Sequence, residues 1–101
     1  MDSQLQQIID KIVACIDPVK IYLFGSRAKG DSRDDSDYDI AVIYDGELSK
    51  RDVKLTIRKV FGLPDFSMDL FVLTSDELRR FNRIANTLER EITENGVVVY
   101  G

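Results

Sequence analysis

The chain contains no histidine and no tryptophan, and its only cysteine is Cys15. Without histidine, and with a single cysteine, it cannot build a His/Cys zinc site, a histidine general base, or a Ser-His-Asp or Cys-His nucleophile. If the protein is a catalyst, its chemistry must use carboxylates, hydroxyls, lysine, arginine and metal ions with oxygen ligands.

Other absences narrow the class of protein further. A single cysteine allows no internal disulfide, which is typical of a reduced, cytoplasmic protein. No apolar run approaches the ~20 residues of a membrane span, and the polar start MDSQLQQ does not resemble a signal peptide. Lysine and arginine number 14 against 18 aspartates and glutamates, a net charge of −4, so we expect no direct nucleic-acid binding.

A length of 101 residues predicts one compact domain over residues 1–101. Apolar spacing and capping signals predict helices over residues 5–16, 49–61 and 75–92 and strands over residues 19–24, 38–44, 68–73 and 97–100. This order predicts an α/β (α+β) fold, a small sheet flanked by helices. The helix at residues 49–61 allows a parallel crossover, whereas the sense of the first two strands stays open.

Asp37 and Asp39 stand in the segment SDYD, which runs directly into the apolar strand IAVI. Residues i and i+2 of a strand point to the same face, so the two carboxylates can converge on a hard cation and hold it near a phosphate chain. The alternative is that both lie on a solvated strand face. The EF-hand spacing of Asp35, Asp37 and Asp39 fails because Ile40 stands where that loop needs glycine.

Asp69 interrupts the otherwise apolar run MDLFVL. A charge in such a strand must reach a strand end, a partner or a metal, because burying it alone is costly. With Asp37 and Asp39 on a neighbouring strand it would complete a three-carboxylate cluster suited to two-metal phosphoryl transfer. The alternative is an edge-strand charge that prevents aggregation.

Gly25 and Ser26 end the first strand, where glycine permits a tight turn close to a ligand. The Ser26 hydroxyl and the following backbone N–H groups can seat a phosphate, and Arg27 and Lys29 can neutralise its charge. A simple turn is the alternative. The P-loop motif is excluded, because Asp31-Ser32 stands where that motif requires Lys-Ser or Lys-Thr.

Together these residues form the pattern Gly-Ser, ten residues, Asp-x-Asp within GSRAKGDSRDDSDYDIAV. The pattern resembles that of the minimal nucleotidyltransferases (MNT) of the polymerase-β-like nucleotidyltransferase superfamily. The resemblance extends to MDLFVL and, loosely, to the closing helix and ENGVVVY.

The resemblance implies a mixed sheet flanked by helices, with Gly25, Ser26, Arg27 and Lys29 at the nucleotide. It implies that Asp37, Asp39 and Asp69 are catalytic and hold metal, with two Mg²⁺ ions expected and ATP as the substrate. Asp69 would help activate an acceptor hydroxyl.

Many small MNT proteins are paired with a HEPN-domain ribonuclease toxin, to which they transfer AMP, often on a tyrosine. The resemblance therefore implies a cytoplasmic antitoxin in a hetero-oligomer with such a toxin. Two alternatives stay open: an antitoxin that neutralises its toxin by binding alone, and a transferase for a small molecule such as an aminoglycoside.

Overall fold

The structure, a computed structural model, describes residues 3–28 and 37–101, apart from the side chain of Ser26. Its elements are, in order, α1 (Ser3–Ile16), β1 (Lys20–Phe24), a 3₁₀ turn (Gly25–Arg27), β2 (Tyr38–Ile43), α2 (Lys50–Phe61), β3 (Met68–Leu73), α3 (Ser75–Phe81), α4 (Leu88–Asn95) and β4 (Val97–Tyr100). The predicted α/β (α+β) class, a small mixed sheet flanked by helices, is confirmed. Within the described ranges, no helix is both long and apolar enough to cross a membrane.

The four strands form one sheet in the order β3-β2-β1-β4. Strand β1 is antiparallel to both β2 and β4, which settles the sense that the sequence left open. Strands β2 and β3 are parallel, and α2 makes the crossover between them, as a parallel pair requires.

Successive residues of each strand point to opposite sides of the sheet, and both faces carry apolar side chains. Helices therefore cover the sheet on both faces. On one face the apolar stripe of α1 packs with α2 against a buried cluster that includes Ile21, Leu23, Ile40, Val42 and Leu70. On the other face Ile92 of α4 packs in a smaller cluster that contains Tyr22, Phe24, Ala41, Ile43 and Leu73.

The helix predicted over residues 75–92 is wrong, because the chain divides there into α3 and α4. Thr87 caps a new helix: its Oγ1 accepts a hydrogen bond from the Arg90 N–H at 3.2 Å. The same hydroxyl donates to the carbonyl oxygen of Ile84 at 2.8 Å, and Asn86 adopts a positive φ of 65°. The apolar spacing through Ile84 continued the helical pattern, yet Ile84 is 49% exposed.

Candidate active site

Asp39 and Asp69 lie side by side near the beginning of the parallel strands. The register pairs Tyr38 with Met68 and Asp39 with Asp69. Tyr38 and Met68 belong to the core beneath α1 and α2, so strand alternation directs both aspartates to the opposite face. Asp39 is partly buried and Asp69 is exposed.

The electrostatic surroundings of Asp39 disfavour its ionised form. Partial burial raises the pKa of Asp39, and the negative charges of Asp69 and Asp37 raise it further. A hydrogen bond between the carboxyl groups of Asp39 and Asp69 acts in the same direction. Asp37, which is exposed and directly precedes β2, therefore lies near enough to act on Asp39.

Gly25 brings the backbone at the end of β1 against this acidic pair. Phe24 is paired with Asp39 across the antiparallel strands, and Gly25 follows with a positive φ of 75°. A Cβ at Gly25 would overlap the Oδ2 atom of Asp39. Glycine is required at this position both by the backbone conformation and by the closeness of the carboxylate.

Of the other predicted nucleotide-binding residues, the structure describes the positions of Ser26 and Arg27. Ser26 and Arg27 lie in the 3₁₀ turn that Gly25 begins, whereas Lys29 lies outside the described residues. The guanidinium carbon of Arg27 is 3.9 Å from the centre of the Tyr38 ring. The Tyr38 ring belongs to the core beneath α1, and its hydroxyl donates to Gln4 Oε1 at 2.8 Å. The structure thus places the Arg27 guanidinium beside Tyr38.

The structure also shows a groove beside the acidic pair that sequence reasoning missed. Arg58 and Phe61 from α2 and Phe66 from the following loop line it together with Asp37 and Asp69. Residues from α2 and from the loop before β3 meet there through tertiary packing. No local spacing in the sequence signals that contact.

The donor set of the acidic cluster fits a hard divalent cation. Among the residues that the structure describes, no group of three or more His, Cys, Asp and Glu side chains is arranged as metal ligands. The neighbouring charges of Asp69 and Asp37 add to burial in raising the pKa of Asp39. A divalent cation reverses that effect, because it stabilises adjacent carboxylates in their ionised form.

Comparison with known proteins defines the class. The family described as "Polymerase beta, Nucleotidyltransferase" matches residues 6–101, so the chain belongs to this nucleotidyltransferase family. The resemblance seen in the sequence is thereby confirmed, as is the prediction that the protein is a nucleotidyltransferase.

Individual relatives agree with this assignment. The chain is 27% identical over 101 residues to the protein adenylyltransferase MntA of Aphanizomenon flos-aquae (strain 2012/KM1/D3), a match that covers 97% of this chain and 67% of MntA. Among solved structures, a protein assigned as a nucleotidyltransferase from Sulfolobus solfataricus superposes with a TM-score of 0.62 at 24% identity, covering 93% of this chain and 74% of that one. A toxin–antitoxin structure with AMP-PNP superposes with a TM-score of 0.61, also at 24% identity, over 95% of this chain and 73% of that one. At this identity the two structures support the fold.

Proposed function

We propose that residues 1–101 form a single minimal nucleotidyltransferase domain that transfers AMP from ATP to a hydroxyl group of a partner protein. The partner we propose is a HEPN-domain ribonuclease toxin, modified on a tyrosine, so that the transferase acts as its antitoxin. The resemblance to the MNT family supports the HEPN partner, and the likeness to a protein adenylyltransferase supports transfer to a protein. The toxin–antitoxin structure with AMP-PNP shares the fold, and its contents agree with both ATP and a toxin partner.

The pairing of Asp39 with Asp69 next to Gly25 carries this proposal. Two carboxylates on the adjacent parallel strands β2 and β3 meet a glycine turn at the end of β1. This arrangement offers hard ligands for a metal ion immediately beside a backbone that can approach a phosphate chain.

In the proposed reaction the acceptor oxygen forms a bond to the α-phosphorus of ATP. The bond from that phosphorus to the bridging oxygen breaks, and pyrophosphate leaves. The hydroxyl proton passes to the Asp69 carboxylate, which is exposed and able to receive it. Asp37, Asp39 and Asp69 would hold two Mg²⁺ ions, which supply Lewis-acid stabilisation of the phosphoryl charge. Gly25, Ser26, Arg27 and Lys29 would bind the nucleotide.

The direct test is a transfer assay with labelled ATP, Mg²⁺ and a HEPN-domain protein as the acceptor. We expect label on the partner with the wild-type protein and none with the Asp37→Asn and Asp39→Asn variants. Absence of transfer by a folded wild-type protein, with every nucleoside triphosphate tried, would contradict the proposal.

A binding-only antitoxin is the second candidate, and the net charge of −4 favours it because an acidic protein can mask a basic RNA-binding surface. Complementation in cells separates the two candidates. If the Asp37→Asn/Asp39→Asn double variant protects cells from the toxin as well as wild type does, binding is sufficient. If protection is lost while the complex still forms, catalysis is the biological activity.

A further inference from the structure

A groove of about 430 Å³ opens between the C-terminal end of α2 and the beginning of β3. Its walls combine aromatic, apolar and charged groups, and the residues that line it include Asp37, Arg58, Phe61, Phe66, Met68 and Asp69. Asp37 and Asp69 thus belong both to the acidic cluster and to the groove, which makes the two features continuous.

Gly25 lies against Asp39, whereas Asp37 and Asp69 line the groove. Because the sheet order is β3-β2-β1, Gly25 after β1 and Asp69 on β3 lie on opposite sides of Asp39 on β2. In phosphoryl transfer the attacking and leaving oxygens lie roughly in line on opposite sides of the phosphorus. With the phosphate chain at Gly25, the attacking hydroxyl approaches from the side of Asp69. A nucleotide base placed in the groove would block that path.

Aromatic contacts hold the groove wall in place. The Phe61 and Phe66 rings meet edge to face with centroids 6.0 Å apart, and Phe66 meets the Tyr38 ring in the same way at 5.8 Å. Lys11 Nζ lies 5.2 Å from the centre of the Phe61 ring. Edge-to-face pairs of this kind favour one fixed arrangement of the rings, so the wall is preformed for an apolar side chain.

Among the described residues that line the groove, Arg58 is the one with a positive charge. Its Nη2 donates one long hydrogen bond, 3.4 Å, to the carbonyl oxygen of Met68. Within residues 3–28 and 37–101 it forms no ion pair, and its side chain is exposed. A guanidinium whose other N–H groups can still donate hydrogen bonds favours a carboxylate as its partner.

We propose that this groove is the acceptor site, and that it binds a protein segment presenting a hydroxyl side chain to Asp69 and a neighbouring carboxylate to Arg58. The inference rests on the proposed function, because it names the site at which the acceptor of that reaction binds. The aromatic wall contacts an apolar residue of the same segment. Arg58 is then a specificity residue that distinguishes acceptors by the charge next to their hydroxyl.

The first test measures binding without turnover, using ¹⁵N NMR and two blocked peptides, Ala-Asp-Tyr-Leu-Ala and Ala-Lys-Tyr-Leu-Ala. We expect the Asp peptide to shift the amide signals of Phe61, Gly62 and Ser67, and ATP with Mg²⁺ to shift those of Gly25 and Arg27. The Lys peptide should bind about tenfold more weakly, and Arg58→Gln should remove this difference. Lys59→Gln is the matched control, since Lys59 is an exposed cation of the same helical turn that does not line the groove.

Two outcomes would overturn the inference: groove signals that respond to ATP with Mg²⁺ and not to the Asp peptide, or equal binding of the two peptides by wild type. Because neither measurement needs catalysis, the groove is tested even if the wild-type protein transfers no AMP. Where transfer occurs, Arg58→Gln should raise the KM for the partner protein about tenfold and leave the affinity for ATP with Mg²⁺ unchanged. An unchanged KM would contradict the proposal and leave the transferase function intact.

Discussion

Strand β2 has an aspartate near each end, and the two carboxylates lie in opposite surroundings. Asp39, near the start of the strand, faces the carboxylates of Asp69 and Asp37, and together with burial they raise its pKa. Asp45, just after the end of the strand, accepts hydrogen bonds from the Ser75 N–H at 2.8 Å and from the Ser75 hydroxyl at 2.6 Å. These two bonds, the hydroxyl first, lower the pKa of Asp45.

The two carboxylates differ in their partners: Asp45 accepts hydrogen bonds from Ser75, whereas Asp39 faces other carboxylates. At the Asp45 end, Ser75 satisfies Asp45, and the neighbouring Glu77 is satisfied by its capping box with Thr74 and its ion pair with Lys50. At the Asp39 end, like charges remain together and their repulsion costs stability. Such an arrangement is typical of a site selected for binding or chemistry, because stability alone would not favour it.

The largest expected effect is at the acidic end. Asp39→Asn should reduce AMP transfer by more than about 100-fold, because metal-bound carboxylates supply several kcal/mol of transition-state stabilisation. The same change should leave the urea unfolding midpoint at pH 7 unchanged or higher, since it removes a like-charge contact.

Asp45→Ala is the matched variant at the other end, and we expect it to retain transfer activity. Rates from the labelled-ATP assay and urea midpoints, measured on both variants, check the pair. Full activity in folded Asp39→Asn protein would show that Asp39 is no more important for transfer than Asp45 at the other end of β2.

Gly25→Ala should give the second largest effect, a loss of about 2–3 kcal/mol in the free energy of unfolding. A positive φ costs a residue with a Cβ about 1 kcal/mol or more, and the added methyl group must also displace Asp39. Gly62→Ala provides the control, because Gly62 has a similar φ of 61° and a Cβ added there would meet no atom within 4 Å. Urea denaturation should show the smaller loss for Gly62→Ala, and equal losses would argue against a close contact between Gly25 and Asp39.

Asp45→Ala should cost about 1 kcal/mol, the usual net contribution of hydrogen bonds made at an exposed site. The loss should appear in the urea midpoint, because Ser75 lies in the first turn of α3 and its N–H has no helical partner. Ser75→Ala removes only the hydroxyl bond and should cost less than Asp45→Ala. A larger loss for Ser75→Ala would indicate that the hydroxyl acts elsewhere.

The fold could be predicted where its signals are local. The helices at Ser3–Ile16 and Lys50–Phe61 follow from apolar spacing and, in α2, from the Ser49 cap, whose hydroxyl accepts from the Asp52 N–H. The split between α3 and α4 escaped prediction, because Leu78, Phe81, Ile84 and Leu88 keep helical spacing across it. The side-chain bonds of Thr87 and the positive φ of Asn86 mark the second start.

The candidate site could be predicted in part. The sequence indicates that Asp37, Asp39 and Asp69 meet, since the hydrophobic runs place all three near strand starts. It does not indicate that the Arg27 guanidinium lies on the Tyr38 ring, nor that Arg58 and Phe66 share a groove with Asp69. Those contacts depend on how α2 and the loop before β3 pack against the sheet, which no short-range pattern encodes.

The smallest expected effect concerns the ion pair between Lys50 Nζ and Glu77 Oε2 at 2.6 Å. Lys50→Gln should cost no more than about 0.5 kcal/mol, because the lysine side chain is 48% exposed and solvent screens the pair.

The hydrogen bond from Lys50, and next the one from the Thr74 N–H, lower the pKa of Glu77. A lowered pKa adds stability above the unfolded value of about 4.3, and that stability is lost as the pH falls through the folded value. The difference between wild type and Lys50→Gln should therefore be present at pH 7, vanish near pH 3 and shrink in 1 M salt. Lys54→Gln removes an exposed lysine of the same helix that forms no ion pair within the described residues, and it should show no such pH dependence. If Lys50→Gln lost as much stability at pH 3 as at pH 7, the loss would come from the change at the start of α2 and not from the ion pair. Glu77 would then not be stabilised by its partner in the way that Asp45 is.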